Sequence, residues 1–153
     1  MGNNIYYFAY GSNMDPLRMV GRRIDFTSRI AAYLPGYELT FNKRSTCNEN
    51  ETYANIMPNP KAQTLGVLYK TNDYSMLRLD EYEGVRFAQY FRKNVSVYTD
   101  DGIVDAICYV AHSNSLVYNI PPSHTYVSHL LKGTDLWGEK LKKEVLKAQL
   151  ILN

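Results

Sequence analysis

Along the first two thirds of the chain, short apolar runs alternate with Gly, Pro, Asn and Asp, the pattern of strands joined by turns. Residues 5–9 form an apolar and aromatic run that stops at Gly11-Ser12-Asn13. Asn13 and Asp15 can each cap a helix whose first turn holds Pro16 and whose end suits Gly21. Residues 27–34 and 37–41 predict two strands around a Pro35-Gly36 turn, and 53–57 and 64–69 predict two more around Pro58-Asn59-Pro60. The polar stretch 47–51 reads as a loop.

The period then changes. Asn72 caps a helix over Asp73–Tyr82, with Tyr74, Leu77 and Met76 expected on its buried side, Glu83 at its end and Gly84 at its exit. Residues 90–98 and 103–110 flank Asp100-Asp101-Gly102, a strong hairpin signal. Pro121-Pro122-Ser123 opens a helix to about residue 132 that Gly133 stops. A last helix over 136–150 carries Trp137, Leu141, Val145 and Ala148 on one stripe, with Lys140, Lys142, Lys143 and Lys147 facing water. The expected class is α+β: a mixed, mainly antiparallel sheet of about six or seven strands closing into a small barrel, with about three flanking helices.

Composition narrows the function. A chain of 153 residues with 45% apolar content fills one core without staples, so a single domain over 1–153 is expected. Lys plus Arg number 17 against 15 Asp plus Glu, and the near balance argues against nucleic-acid binding through Arg22, Arg23, Arg29 and the C-terminal lysines. No apolar run is long enough to span a bilayer, and the N-terminal residues lack the pattern of a secretory signal, so a cytoplasmic protein with no membrane partner is expected. Cys47 and Cys108 have no metal or redox spacing, and Cys108, inside an apolar run, is expected to pack as a reduced hydrophobe. His112, His124 and His129 form no metal pattern. Hence neither metal nor organic cofactor is expected. The unusual number is 14 tyrosines, side chains that line a wet pocket as readily as a core.

Two places can carry chemistry. Tyr10-Gly11-Ser12-Asn13, between strand and helix, is either an ordinary turn with a helix cap or an anion cradle built of backbone N–H groups. Ser12 lacks the flanking glycines of a nucleophile elbow. Asp80, Glu81 and Glu83 crowd a helix C-terminus, where negative charge is unfavourable and a buried member has its pKa raised. They are either three exposed acids or the setting of a base beside Gly84.

At these residues a resemblance becomes specific. Phe8-Ala9-Tyr10-Gly11-Ser12-Asn13-Met14 resembles the signature strand and loop of the γ-glutamylcyclotransferase (AIG2-like) family. Leu79-Asp80-Glu81-Tyr82-Glu83-Gly84-Val85 resembles the segment carrying that family's catalytic glutamate. Gly66-Val67-Leu68-Tyr69 and Pro121-Pro122-Ser123-His124-Thr125-Tyr126 are similar to two further family elements, in the expected order. The resemblance implies a small α+β barrel and an enzyme that cyclises a γ-glutamyl group to 5-oxoproline, releasing the amine of a γ-glutamyl amino acid, dipeptide or amine. It implies that Glu83 is the general base and acid. Tyr7, Phe8, Ala9, Tyr10, Gly11, Ser12 and Asn13 supply the substrate-binding strand and loop on this reading, with Tyr90 and Tyr126 at the pocket. A specialised role in removing a γ-glutamyl protecting group fits the same motifs, and so does a non-catalytic ligand-binding domain. The resemblance leaves homodimer and monomer both open.

A glutamate at its ordinary pKa is a poor base for this step. It lies about 3.5 units below an α-ammonium group, an uphill transfer of about 5 kcal/mol. Raising the glutamate pKa narrows that gap, and holding the substrate folded on itself is worth roughly 7 to 11 kcal/mol.

Overall fold

The computed structural model describes residues 3–150, so the outermost ends of the unit expected over 1–153 lie outside the described residues. Its strands are β1 (Asn4–Ala9), β2 (Ser28–Arg44), β3 (Thr52–Asn72), β4 (Tyr90–Thr99) and β5 (Gly102–Ala111). They close into a barrel in the order β1-β3-β2-β4-β5. All neighbours are antiparallel except β1 and β5, which meet in parallel through the single registered pair Tyr7↔Ile107.

Five strands replace the expected six or seven because both proline-rich turns are bulges within long strands. In the β2–β3 ladder the register runs from Pro35↔Gln63 to Tyr37↔Pro58, so residues 59–62 bulge opposite Gly36. Turn chemistry is present there, since Lys61 N–H donates to Asn59 Oδ1 at 3.0 Å, but it reshapes a ladder instead of ending it. The hairpin between β4 and β5 turns at Asp100-Asp101, with Thr99 paired to Gly102.

Helices α1 (Pro16–Gly21), α2 (Asp73–Tyr82), α3 (His124–Leu130), α4 (Thr134–Trp137) and α5 (Glu139–Leu150) flank the barrel. Asp15, rather than Asn13, caps α1, accepting from Leu17 N–H at 3.0 Å. Asn72 and Ser123 cap α2 and α3 through Ser75 N–H and Tyr126 N–H. The stripe expected on α2 is corrected: Tyr74 and Leu77 are each 60% exposed, while Ser75, Met76 and Leu79 are buried. The last helix is split at Gly138, so Trp137 belongs to α4 and only Leu141, Val145 and Ala148 form the buried stripe of α5.

Phe8, Val67, Tyr69, Val97 and Cys108 belong to one buried hydrophobic core, which Leu130 and Leu141 of the outer helices join. Cys108 is a buried free thiol, its pKa pushed up to about 12 by burial, and Cys47 is exposed. Among the described residues no helix is long and apolar enough to cross a membrane, and no cluster of His, Cys, Asp and Glu can hold a metal.

Candidate active site

The start of α1, the tip of the β2–β3 hairpin and the exit of α2 converge on one end of the barrel. They enclose a cavity of about 540 Å³ lined by Tyr7, Tyr10, Gly11, Ser12, Asn13, Arg18, Arg22, Lys43, Tyr53, Glu83, Tyr90, Tyr109 and Tyr126, among others. After β1, residues Ser12–Met14 make a single 3-10 turn, tied by Met14 N–H to Gly11 O at 3.0 Å. That turn aims the Asn13 side chain back across the barrel mouth.

Glu83 closes α2, its N–H bonded to Leu79 O at 2.8 Å. Gly84 follows with φ +66°, a left-handed conformation that reverses the chain, and a Cβ there would lie 2.8 Å from Gln89. The reversal leaves the Glu83 carboxylate facing the cavity, where Asn13 Nδ2 donates to its Oε1 at 3.3 Å. The same Nδ2 reaches Tyr7 Oη at 3.0 Å, and Asn13 Oδ1 accepts from Arg22 Nη1 at 3.1 Å. Burial raises the Glu83 pKa above the ordinary carboxyl value; Arg22, Arg18 and Lys43 pull it down and Asp80 pushes it up.

The three acids at the helix end have therefore separated. Asp80 is held by a two-pronged contact from Arg92 at 2.7 and 2.8 Å and also accepts from Tyr109 Oη at 2.7 Å. Glu81 is exposed, 3.9 Å from Arg86. Of the three, Glu83 alone makes no ion pair among the described residues.

Tyrosines form the remaining wall. Tyr10 donates to Tyr109 O, and Tyr90 to Ala54 O at 2.7 Å. Tyr126 Oη accepts from Ala54 N–H at 3.0 Å, which leaves its own proton free to donate, and its ring packs 5.0 Å from that of Tyr53. A Cβ at position 11 would come within 3.2 Å of Tyr126 Oη, so glycine there keeps the loop close to this hydroxyl. Burial drives the pKa of Tyr7, Tyr10, Tyr90 and Tyr126 upward, so they stay neutral hydroxyls.

Of the residues singled out in the sequence, Tyr7, Tyr10, Gly11, Ser12, Asn13, Glu83, Tyr90 and Tyr126 line this cavity. Phe8 and Ala9 are not among its lining residues, and both are buried. Period-2 alternation turns the Phe8 side chain to the opposite face from Tyr7. The sequence reading missed Arg18, Lys43, Tyr53 and Tyr109 as lining residues, and Arg22 was considered only as a nucleic-acid contact. Lys43 follows the register shift after Thr40 in β2, which breaks the alternation of that strand, and is 1% exposed. Its ammonium donates to Gln89 Oε1 at 2.8 Å and to Arg44 O, and burial lowers its pKa to about 8.

Residues 7–128 match the family model described as gamma-glutamyl cyclotransferase, AIG2-like. A human protein named gamma-glutamylcyclotransferase is 31% identical over 147 residues, covering 93% of this chain and 77% of the relative. Its bovine namesake is 29% identical over 136 residues, covering 86% and 71%. A solved structure titled gamma-glutamyl cyclotransferase superposes with a TM-score of 0.80 at 27% identity, over 96% of this chain and 88% of the other.

Proposed function

The chain belongs to the gamma-glutamyl cyclotransferase, AIG2-like family of enzymes, and on that premise we propose that it cyclises the γ-glutamyl group of a small γ-glutamyl amide to 5-oxoproline with release of the amine. The observation that carries this reading is Glu83: a carboxylate set into the cavity wall, its pKa raised by burial, 3.3 Å from the side chain of the Gly11–Asn13 loop.

The glutamyl group lies against the Tyr10–Asn13 loop, with its α-nitrogen at Glu83. The carboxylate removes a proton from that nitrogen, whose lone pair attacks the substrate's own γ-carbonyl carbon. A carbon–nitrogen bond forms, closing a five-membered ring, and the bond to the departing nitrogen breaks. The proton held on Glu83 passes to the departing amine, so base and acid are one group and water is not consumed. The raised pKa shortens the uphill proton transfer that would handicap an exposed glutamate. The free hydroxyl proton of Tyr126 and the hydroxyl of Tyr7 are neutral donors on the same wall, suited to the oxyanion that develops on the γ-carbonyl oxygen.

Glu83→Gln keeps the size and the contact with Asn13 but cannot accept a proton. Its rate of 5-oxoproline release from a γ-glutamyl dipeptide is expected to fall about 10²- to 10⁴-fold with the fold retained. Undiminished release would exclude Glu83 as the base. Glutamate in place of 5-oxoproline from the unaltered protein would replace cyclisation with hydrolysis, and no product from any γ-glutamyl amide would leave a ligand-binding domain.

A further inference from the structure

The cavity is richer in positive charge than a glutamyl group requires. Arg18, Arg22 and Lys43 all line it, against Glu83 and the outward-facing Glu81. The cations differ in what they already hold. Arg22 donates to Asn13 Oδ1 at 3.1 Å and stacks over the Tyr82 ring at 4.7 Å, so it is part of the scaffold that holds Asn13 toward Glu83. Lys43 is tied to Gln89 and to the Arg44 carbonyl.

Arg18 is tied to nothing. Its half-buried guanidinium makes no hydrogen bond or ion pair among the described residues, and its Nε is buried without a partner. It lies one helical turn before Arg22, the residue that follows α1, and lines the same cavity. A buried, unbonded donor on a cation is costly unless something else satisfies it. A planar guanidinium is matched best by a planar carboxylate, which it grips with two parallel bonds.

A γ-glutamyl amine brings one carboxylate, on the glutamyl carbon beside the reacting nitrogen. A γ-glutamyl amino acid or peptide brings a second, on the leaving group. The Asn13–Arg22 assembly stands beside Glu83 and hence beside the glutamyl end. Arg18 lies one helical turn before Arg22 and, with no partner among the described residues, is free for a second carboxylate. We propose that Arg18 is a specificity-determining residue that binds a carboxylate on the departing amine, so that the enzyme favours γ-glutamyl amino acids and peptides over γ-glutamyl amines that lack an acid group. The inference rests on the cyclotransferase reading above.

Two substrates that differ only in this group test it: L-γ-glutamyl-L-alanine and L-γ-glutamylethylamine, each followed by 5-oxoproline release. The unaltered protein is expected to favour the alanine compound about 10- to 100-fold in kcat/KM, mainly through KM, as one charge-assisted contact provides. Arg18→Gln is expected to collapse that ratio to within about twofold, and Arg18→Lys, which keeps the charge but loses the fork, to give an intermediate value. Circular dichroism and a melting curve on each variant separate a lost contact from a lost fold. A ratio near one in the unaltered protein overturns the proposal while leaving the cyclotransferase intact. So does a ratio that Arg18→Gln leaves at its original value, since Arg18 would then serve the glutamyl half or the fold. Failure to release 5-oxoproline from either compound overturns both readings together.

Discussion

Glu83 must lose its proton to act and must be buried to act well, and these demands fix the sign of its pH dependence. Because burial raises its pKa, the working carboxylate forms only above the usual carboxyl range, and kcat/KM is expected to climb with pH along a limb displaced upward from that range. Folding carries the opposite sign: the folded state holds this proton more tightly than the unfolded chain, so the contribution of Glu83 to stability is fully present below the unfolded carboxyl value and is lost as pH rises through the raised one. Arg22 is the foremost cation holding the pKa down. Arg22→Gln is therefore expected to move the rising limb to higher pH, read from kcat/KM profiles for one substrate; a limb at or below its original position would show that Arg22 does not act on Glu83. The two local motifs that meet here, the Tyr10–Asn13 loop and the Leu79–Val85 segment, were legible because each carries its chemistry within a few consecutive residues. Lys43, Arg18 and Tyr109 were not, because a lysine on a strand, an arginine on a short helix and a tyrosine among 14 acquire meaning only when distant elements close around one space.

Elements were legible where a local rule stood unopposed. Asp100-Asp101-Gly102 turns β4 into β5, and Asp15, Asn72 and Ser123 cap their helices, since both effects act within a few residues. They were misread where pairing overrides local preference: Pro35-Gly36 and Pro58-Asn59-Pro60 look like two turns but face each other across one ladder, where each absorbs the other's irregularity. On α2 the large side chains Tyr74 and Leu77 drew the eye, whereas Met76 and Leu79 face the barrel. The contact between α5 and β3 shows how an element is held in place. Glu144, on α5, accepts from Leu65 N–H of β3 at 3.0 and 3.2 Å, capping a strand donor just beyond the bulge. Burial pushes its pKa up to about 7, so above that pH the folded state carries a poorly solvated charge. The associated cost is absent below the unfolded value of about 4.5, grows as pH rises to about 7 and is constant beyond, at about 3 kcal/mol. Glu144→Gln keeps an acceptor for Leu65 without the charge. It is expected to stabilise the protein by about 1 to 3 kcal/mol at pH 8 and to lose that advantage near pH 4. Denaturant midpoints at the two pH values check this; an equal effect at both would mean that ionisation of Glu144 is not the cause.

The whole barrel behaves as two unequal sheets joined by narrow seams. On one side, β1, β3 and β2 share long ladders; on the other, β4 and β5 pair along their full length. Between them run the single registered pairs Tyr33↔Tyr98 and Tyr7↔Ile107. Side chains strengthen the join near the cavity, where Tyr90 bonds to Ala54 O at 2.7 Å, Ala111 N–H to Asn55 Oδ1 at 2.9 Å, and Tyr10 to Tyr109 O. Glu83 and the Gly11–Asn13 loop sit where the sheets meet, and the cavity takes walls from both. A ligand there touches both sheets, so its binding free energy is spent partly on holding them together. Regions with few shared backbone bonds open below the global unfolding free energy, and a ligand that binds only the closed form suppresses that opening by mass action. In amide hydrogen exchange the β4–β5 hairpin is expected to exchange as a unit before the paired centre of β2 and β3. Saturating 5-oxoproline is expected to slow β4–β5 exchange and the β2–β3 ladder by a similar factor while leaving the hairpin the faster of the two, because a ligand that binds only the closed barrel opposes the parting of the sheets and global unfolding alike. If all five strands exchange together, with and without the product, the seams are as strong as the ladders, and the barrel opens only by unfolding as a whole.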